Sequence, residues 1–384
     1  MTPEHSRIPP SSAHIWAGGG CTGWVQMVEK FPEPAEESDD AREGTASHEV
    51  GERNIWRALH GGIGPELLPG DTARNGVVIT DEMVDCAEVY SDDVIAEYQR
   101  RVVNAGMTYG LETRIDCFRI HPESYGTPDF WLYDPSEALL IIWDYKYGHV
   151  VVDAYENWQE ANYSAGLIDR LGPVRQVEFR VRQPRALRQK GVLSDWRVPV
   201  ERLDPMFGIL HERAHEAFGP NPQCRTGHHC RRCGARHGCG TYLTAAFTLY
   251  EAASAPAPVE LSLSALGLQL LIVERAMAAL KGLQTGYEEQ VRTLIQSGSN
   301  VPWWALESVS GREQWTKPVA EVAALGDLLG FKLRKDALIT PNQARKLGVD
   351  NATLSMYSGR NSGLKLVKDT GEKARKIFSE HTGE

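Results

Sequence analysis

Three absences narrow what this 384-residue sequence can encode. There is no basic excess: the net charge is −10, which argues against a protein that simply coats DNA but allows a local basic groove. No G-x4-G-K-[ST] motif occurs, so we expect no P-loop motor. Residues 1–10 lack the apolar core of a secretory signal, and no apolar run approaches the ~20 residues of a membrane span. We therefore expect a cytoplasmic protein without a membrane partner.

Cysteine is scarce along most of the chain, yet four of the seven cysteines lie near residue 230. Cys230, Cys233 and Cys239 have C-x2-C-x5-C spacing, which indicates a metal site in a reducing compartment rather than disulfides. The spacing leaves the fourth ligand open. Its local candidates are Cys224, His228, His229 and His237, and the distant candidate is Cys21. Four thiolates would favour iron, whereas a mixed set would favour zinc.

A second cluster of candidate functional residues, with ionisable side chains, follows Gly126. The apolar run Leu139–Trp143 predicts a strand that continues through Lys146, so Asp144 and Lys146 point to one face and Tyr145 to the other. Asp129 opens the preceding strand after a Gly-Thr-Pro turn, and residues 134–137 supply the turn between the two strands. Two carboxylates beside an ammonium group suit phosphodiester hydrolysis with Mg²⁺ or Mn²⁺. An ordinary solvated hairpin with an Asp–Lys pair is the alternative.

The surrounding pattern predicts a mixed α/β core. Helices are expected at 41–52, 81–105, 155–171 and 200–218, and strands at 111–120, 129–134, 139–146 and 177–181. Glu112 is either a further carboxylate near a metal or a surface charge. Residues 170–190 hold seven basic side chains against Glu178 alone. In this stretch the candidate DNA contacts are Arg180, Arg182 and Arg185.

Composition also predicts the domain organisation. The Ala- and Pro-rich segment 251–260 reads as a linker between a first domain at 1–250 and a mostly helical accessory domain at 261–384. Tryptophans and lysines in the second domain could bind single-stranded DNA, or the helices could serve packing or oligomerisation.

Taken together, His48, Asp129, Asp144, Lys146, Gln159 and Tyr163 resemble, in type and order, the motifs of the PD-(D/E)XK nuclease superfamily and its RecB-like branch. The resemblance implies a restriction-endonuclease-like mixed sheet flanked by helices. It implies that His48, Asp129, Asp144 and the backbone carbonyl of Tyr145 bind Mg²⁺ or Mn²⁺. It also implies that Lys146 is catalytic and that Gln159 and Tyr163 position the substrate.

The cysteine layout resembles the AddB-type iron–sulfur nucleases, in which one cysteine precedes the core and three follow it. This implies a [4Fe–4S] cluster that closes the domain, with zinc as the alternative; the implied ligands are Cys21, Cys230, Cys233 and Cys239. The chain further resembles phage and prophage proteins that carry this core.

The function expected from these resemblances is a metal-dependent DNA exonuclease in phage recombination, replication or end processing. It would act on duplex ends or single strands in the bacterial host cytoplasm, with a single-strand annealing or binding protein as a candidate partner. The alternative is a catalytically inactive nucleic-acid-binding module with a structural metal site.

Overall fold

A computed structural model describes residues 6–31, 38–186, 193–254, 261–315, 317, 319–333 and 340–368. The chain forms two compact units, Met1–Gly282 and Leu283–Glu384. Residues 255–260 of the predicted linker lie outside the described residues, so the boundaries at 1–250, 251–260 and 261–384 stay predictions.

The first unit combines helices with two sheets. Its helices are α1 (Ala13–Trp16), α2 (Trp24–Lys30), α3 (Asp39–Leu59), α4 (Asp81–Arg101), α5 (Trp158–Arg170), α6 (Asp204–Phe218), α7 (Gly240–Ser254) and the first part of α8 (Leu263–Gln296). Its strands are β1 (Thr108–Leu111), β2 (Ile115–Asp116), β3 (Tyr125–Gly126), β4 (Phe130–Asp134), β5 (Leu139–Tyr145), β6 (Gln176–Arg182) and β7 (Leu193–Pro199). Short 3₁₀ turns lie at Pro10–Ser12, Val200–Arg202, His228–Arg232 and Gly234–His237.

The main sheet has five strands in the order β1-β4-β5-β6-β7. Strands β5 and β6 are parallel, and the other neighbouring pairs are antiparallel. The turn between β4 and β5 forms where predicted, because the Asp134 carboxylate accepts hydrogen bonds from Ser136 N (2.9 Å) and Ser136 Oγ (2.6 Å). The mixed α/β class is confirmed.

Every residue of β5 is buried, because helices cover both faces of the sheet. Leu140 and Ile142 pack in the core on the α5 and α6 side. Ile141, Trp143 and Tyr145 pack in the core on the α3 and α4 side. Strand alternation therefore directs Asp144 towards α5 and Tyr145 towards α3, and the predicted placement of these two side chains on opposite faces is present.

The predicted strand 111–120 is wrong in its bounds. The strand in the main sheet is β1, which ends at Leu111, because Glu112 adopts a left-handed backbone (φ 44°) that breaks the extended run. The chain then forms β2, which pairs with β3 in a separate two-stranded sheet. Strand β7 was not predicted; most of its side chains are half-buried or exposed, so it lacks an apolar signal.

The second unit contains the end of α8 and further helices at α9 (Val319–Leu329), α10 (Pro341–Lys346) and α11 (Asn351–Tyr357). It also contains an antiparallel pair, β8 (Trp304–Trp315) and β9 (Ser358–Lys368), that the sequence pattern did not indicate. The predicted helical character of this region is confirmed.

Among the described residues, helix α8 is long and apolar enough to count as a candidate membrane span, so the expected absence of a membrane partner stays a prediction. It has 34 residues, an 18-residue window with a mean hydropathy of 1.5, and only 6% of that window buried. Length and composition alone make it a candidate span, a test that helices of soluble proteins also pass.

Candidate functional site

Three acidic residues form a row across neighbouring strands at one end of the main sheet. The pairing register places three apolar residues side by side: Leu111, Phe130 and Trp143. The next position of this register holds Glu112, Asp129 and Asp144. The backbone N–H of Glu112 donates to the carbonyl oxygen of Asp129 at 3.2 Å, which fixes the first two of these residues. Register therefore gathers carboxylates that are distant in sequence.

Helix α3 places His48 beside this row. The helix is capped by Ser38, and its buried residues Ala46 and Val50 pack on the sheet, which leaves His48 at the strand ends. Its Nδ1 lies 3.4 Å from Asp129 Oδ1. His48, Glu112 and Asp129 each offer one ligand atom, and these atoms lie within 4.8 Å of one another. Carboxylate and imidazole donors at this spacing fit a divalent cation such as Mn²⁺.

Asp129 is held by the strand that carries the other site residues. Its Oδ2 accepts a hydrogen bond from the Tyr145 backbone N–H at 2.6 Å. The Tyr145 side chain points away from the carboxylates: its hydroxyl lies 2.8 Å from Ser47 Oγ, and its ring stacks on Tyr90 at 5.1 Å. The carbonyl of Tyr145 as a metal ligand stays a prediction.

Lys146 joins Asp144 and Gln159 in one hydrogen-bonded group. Its Nζ donates to Asp144 Oδ1 at 2.8 Å and to Gln159 Oε1 at 3.3 Å. The Gln159 amide donates in turn to Asp144 Oδ1 at 2.8 Å. The predicted proximity of Asp144, Lys146 and Gln159 is thus present, and the ammonium is oriented from two sides.

The electrostatics of the group follow from crowding charges in a partly buried space. Burial lowers the pKa of His48, but the Asp129 carboxylate more than offsets this and raises that pKa above its usual value. Burial opposes ionisation of Asp129, yet His48 holds the pKa of that carboxyl below its usual value. Desolvation in the cleft, followed by repulsion from Asp129, raises the pKa of Glu112 to about 8. Burial also raises the pKa of Asp144.

The group opens into a cleft. The wall formed by α3 carries small side chains, and the rim carries both charge signs. The lining residues are Ser11, Ala41, Gly44, Thr45, His48, Glu49, Glu52, Arg74, Asn75, Glu112, Asp129 and Lys146. Arg74 contacts Glu49 and Glu52, at 3.3 and 3.1 Å. An extended polar ligand therefore has access to the candidate cation position.

Tyr163 does not line this cleft. It lies one turn after Gln159 on α5 but is only 4% exposed. A Cβ atom at Gly126 would come within 3.0 Å of its hydroxyl oxygen and within 3.0 Å of Pro10 Cδ. Tyr163 thus packs under the turn that leads to Asp129, and its role in positioning substrate stays a prediction.

The three arginines predicted to contact DNA are engaged in ion pairs inside the first unit. Arg180 contacts Glu178 at 2.6 Å and Asp93 at 3.4 Å. The Arg182 side chain is 2% exposed and contacts Asp93 at 2.8 Å. Arg185 contacts Glu82 at 3.0 Å and lies over the Tyr147 ring. These ion pairs give the three side chains a structural role. DNA contact by Arg180, Arg182 and Arg185 stays a prediction, and the ion pairs do not support it.

Five cysteines line a single cavity: Cys21, Cys224, Cys230, Cys233 and Cys239. All seven cysteines of the chain are free of disulfides. Backbone N–H groups of Arg225 and Gly227 point at two of the sulfurs, Cys21 Sγ (3.5 Å) and Cys230 Sγ (3.4 Å). Such N–H···S contacts and the crowding of thiols fit a metal held by thiolates.

Cys224 is the member of this group that the resemblance does not include. Burial, and then the neighbouring Cys21 and Cys239, raise the pKa of the Cys224 thiol to about 12. Burial likewise raises the pKa of Cys233 to about 11. Without a metal, the thiols of Cys224 and Cys233 therefore carry protons at neutral pH, and a bound ion or cluster would displace those protons. Of the histidines considered as ligands, His229 lines the cavity. Iron–sulfur or zinc identity stays a prediction.

Sequence reasoning missed Glu160, the residue after Gln159 on α5. It is 1% exposed, and neither of its carboxylate oxygens has a hydrogen-bond partner among the described residues. Burial, followed by repulsion from Asp144, raises its pKa well above the usual value. A glutamate within a helix gives no sequence signal for this, because exposed glutamates are common in helices.

The chain matches a known protein family. Residues 5–353 match the family described as "Protein of unknown function (DUF2800)". Because the match spans most of the chain, the protein belongs to this family.

Proposed function

We propose that this member of the DUF2800 family is a divalent-metal-dependent nuclease with a PD-(D/E)XK core of the RecB-like branch. The observation that carries the proposal is the joint placement of His48, Glu112 and Asp129 within ligand distance of one another, beside the hydrogen-bonded pair Asp144 and Lys146. A second support is the order of the site residues along the chain, which resembles the order of the motifs in that superfamily.

The residues divide the chemistry of phosphodiester hydrolysis among them. His48, Glu112 and Asp129 would hold Mg²⁺ or Mn²⁺, with Asp144 adjacent; when bound, the ion polarises the phosphate and activates water. Lys146, held by Asp144 and Gln159, places a positive charge where negative charge develops on the phosphate.

The charge of the cleft favours a reaction that needs the cation over simple DNA binding. Four carboxylates line it, of which Glu49 and Glu52 are paired with Arg74. The remaining two, Glu112 and Asp129, would repel a phosphodiester when ionised without a cation. A binding module has no use for such a row of acids. We therefore expect tight DNA binding at this cleft only when the divalent cation is present.

The finer assignments rest on resemblance. They are exonuclease rather than endonuclease action, a role in phage recombination or replication, a single-strand annealing or binding protein as partner, and the cytoplasm as location. A [4Fe–4S] cluster at Cys21, Cys230, Cys233 and Cys239, with zinc as the alternative, would join the start of the nuclease unit to its end.

The test is cleavage of end-labelled linear duplex and single strands with Mg²⁺, Mn²⁺ or EDTA, beside closed circular DNA. We expect metal-dependent loss of linear DNA with circles spared, and no cleavage by Asp129→Asn or Lys146→Ala. Asp116→Asn, at an exposed carboxylate outside the cleft lining, is the matched control and should cleave normally. Retained cleavage in either site variant would refute the proposal, and metal-dependent DNA binding without cleavage would favour a catalytically inactive binding module.

A further inference from the structure

Helix α8 is much longer than the average helix of a globular protein and keeps much of its apolar surface exposed. Its 34 residues extend for about 50 Å, at about 1.5 Å per residue. Helical patterns of this length are typical of coiled coils, helical repeats or membrane spans. The spacing of the apolar side chains along α8 distinguishes between these possibilities.

The apolar side chains of α8 recur with a seven-residue period. Between Leu263 and Leu294, alternating steps of three and four residues define ten positions, which are the a and d positions of a heptad repeat. Nine of the ten positions hold an apolar or aromatic side chain, and the tenth holds Gln284. A heptad repeat sustained over this length is typical of a coiled coil. The ten residues, called the seam below, are Leu263, Leu266, Leu270, Val273, Met277, Leu280, Gln284, Tyr287, Val291 and Leu294.

The seam is exposed in the single chain. Seven of its side chains have between 37% and 90% of their surface exposed, with Leu263 at 90% and Met277 at 66%. A different face of α8 packs within the chain: Ala276 and Ala279 are buried, and the Ala279 carbonyl oxygen accepts a hydrogen bond from the Tyr242 hydroxyl at 3.1 Å. Contiguous exposed apolar side chains mark an interaction surface. A partner can therefore bind the seam without displacing the face that is already packed.

We propose that the seam pairs with the seam of a second copy of this chain, in a parallel and in-register two-stranded coiled coil. Each seam position then meets the same position of the other copy, so the two Gln284 amides lie opposite one another. A single polar residue at an a position fixes the register of a coiled coil in this way, at some cost in stability. A shifted pair would place each Gln284 against an apolar side chain.

The charges beside the seam are compatible with this alignment. Charged residues flank it on one side, at the e positions of the heptad, which include Glu274, Lys281 and Glu288. In a parallel pair, each e position faces a g position of the other copy. Like charges therefore do not oppose one another, because the g positions between the ends of the seam are uncharged; they hold Gln269, Ala276, Leu283 and Gln290.

The seam is also large enough for a specific dimer. As a flat strip about 48 Å long and about 10–12 Å wide, it covers roughly 500 Å² per chain. Interdigitating side chains add to this area, which brings it close to the ~600 Å² per partner at which specific interfaces begin.

A lipid bilayer is the competing occupant of this surface, and the residue pattern favours the second copy. Glu274 and Arg275 interrupt the apolar first half of α8, and charged side chains are costly inside a bilayer. The heptad also continues past Lys281 and Glu288 to Leu294, where charged and apolar residues alternate around the helix. A bilayer requires apolar residues on every side, whereas a helical partner requires them only along the seam.

The test is sedimentation velocity of the full-length chain over a range of concentrations. We expect the wild-type chain to form dimers. Leu270→Lys should raise the dimer dissociation constant by about 100-fold, because it removes a buried leucine from both copies. Leu268→Lys is the matched control: Leu268 is 60% exposed but lies outside the seam, so this variant should dimerise as the wild type does. Leu270 is itself 58% exposed in the single chain, so Leu270→Lys should fold, which circular dichroism checks.

The alignment is tested by oxidising a Leu270→Cys variant and identifying the linked peptides by mass spectrometry. A parallel, in-register pair should give a disulfide between the two copies at position 270, and a folded dimer without this link would overturn the alignment. A wild-type chain that is monomeric at every concentration overturns the dimer, and co-sedimentation of that monomer with phosphatidylglycerol vesicles would assign the seam to a membrane. Equal weakening of the dimer by Leu268→Lys and Leu270→Lys also overturns the proposal. The inference is independent of the proposed nuclease, because the seam residues do not line the acidic cleft.

Discussion

Replacing Lys146 with methionine should have opposite effects on catalysis and on metal affinity. The ammonium contacts the Asp144 carboxylate at 2.8 Å and Gln159 at 3.3 Å, beside the candidate cation ligands. Methionine keeps most of the side-chain volume and removes the positive charge. If Lys146 stabilises the reacting phosphate, its loss removes catalysis; if it repels the cation, its loss tightens metal binding.

Both magnitudes can be estimated. Removing one preorganised donor to a developing negative charge typically lowers a rate by about 10²–10³-fold. At an assumed separation of about 6 Å, a unit charge repels a divalent cation by about 1.4 kcal/mol even at the dielectric constant of water. That corresponds to about a tenfold gain in Mn²⁺ affinity for Lys146→Met, and the gain is larger if the site is less well solvated.

Calorimetric Mn²⁺ titration and single-turnover cleavage of labelled DNA at saturating Mn²⁺ measure the two effects on the same preparations. Lys146→Arg retains the charge and should keep wild-type affinity within about threefold while still cleaving slowly, because its planar head cannot reproduce the ammonium contacts. Lys30→Met, at an exposed lysine at the end of α2, should change neither quantity. Unchanged cleavage in Lys146→Met, or weaker Mn²⁺ binding, would refute this reasoning.

Three further predictions concern pH, the thiol site and a buried ion pair. Mn²⁺ affinity should rise between pH 6 and 9, because His48 has a raised pKa, Glu112 has a pKa of about 8, and both side chains must lose a proton to bind the ion. Calorimetry in buffers of different ionisation enthalpy should detect this proton release, which should decrease at high pH. Cys21→Ser should at least halve the iron or zinc content measured by elemental analysis, while Cys86→Ser, at a buried thiol outside the cavity lining, should leave it unchanged. Arg182→Met should lower the free energy of unfolding by about 2 kcal/mol, because it leaves the partly exposed carboxylates of Asp93 and Asp195 without this partner. The salt dependence of DNA binding should not change.

The sequence predicted the parts of the site that depend on strand alternation. An apolar run ending in Asp144-Tyr145-Lys146 can form a buried strand only with the acid and the lysine on one face, and the Asp134 turn is encoded locally by its own side chain. Gln159 was placed correctly because helix periodicity and a motif agreed. These are local properties, which a sequence displays directly.

Other parts depend on register and burial between distant segments. Glu112 joins the row because β1 pairs with β4 at one register, and a sequence does not display that register. Arg180 and Arg182 look like DNA contacts in a basic stretch until α4 supplies Asp93 as their partner. Glu160 resembles any helical glutamate until both its oxygens are found buried.

The segment from Ser11 to Cys21 physically connects the two candidate centres of the first unit. Ser11 lines the acidic cleft, and Cys21 lines the thiol cavity. Between them, the Gly18 backbone lies against the Trp158 ring at the start of α5, and Arg213 of α6 donates to the carbonyl oxygen of Gly20 at 2.6 Å. A metal at the thiol cavity would therefore fix a segment that packs on the helix carrying Gln159. Loss of that metal should disturb the cleft through this packing, even though no thiol lines the cleft.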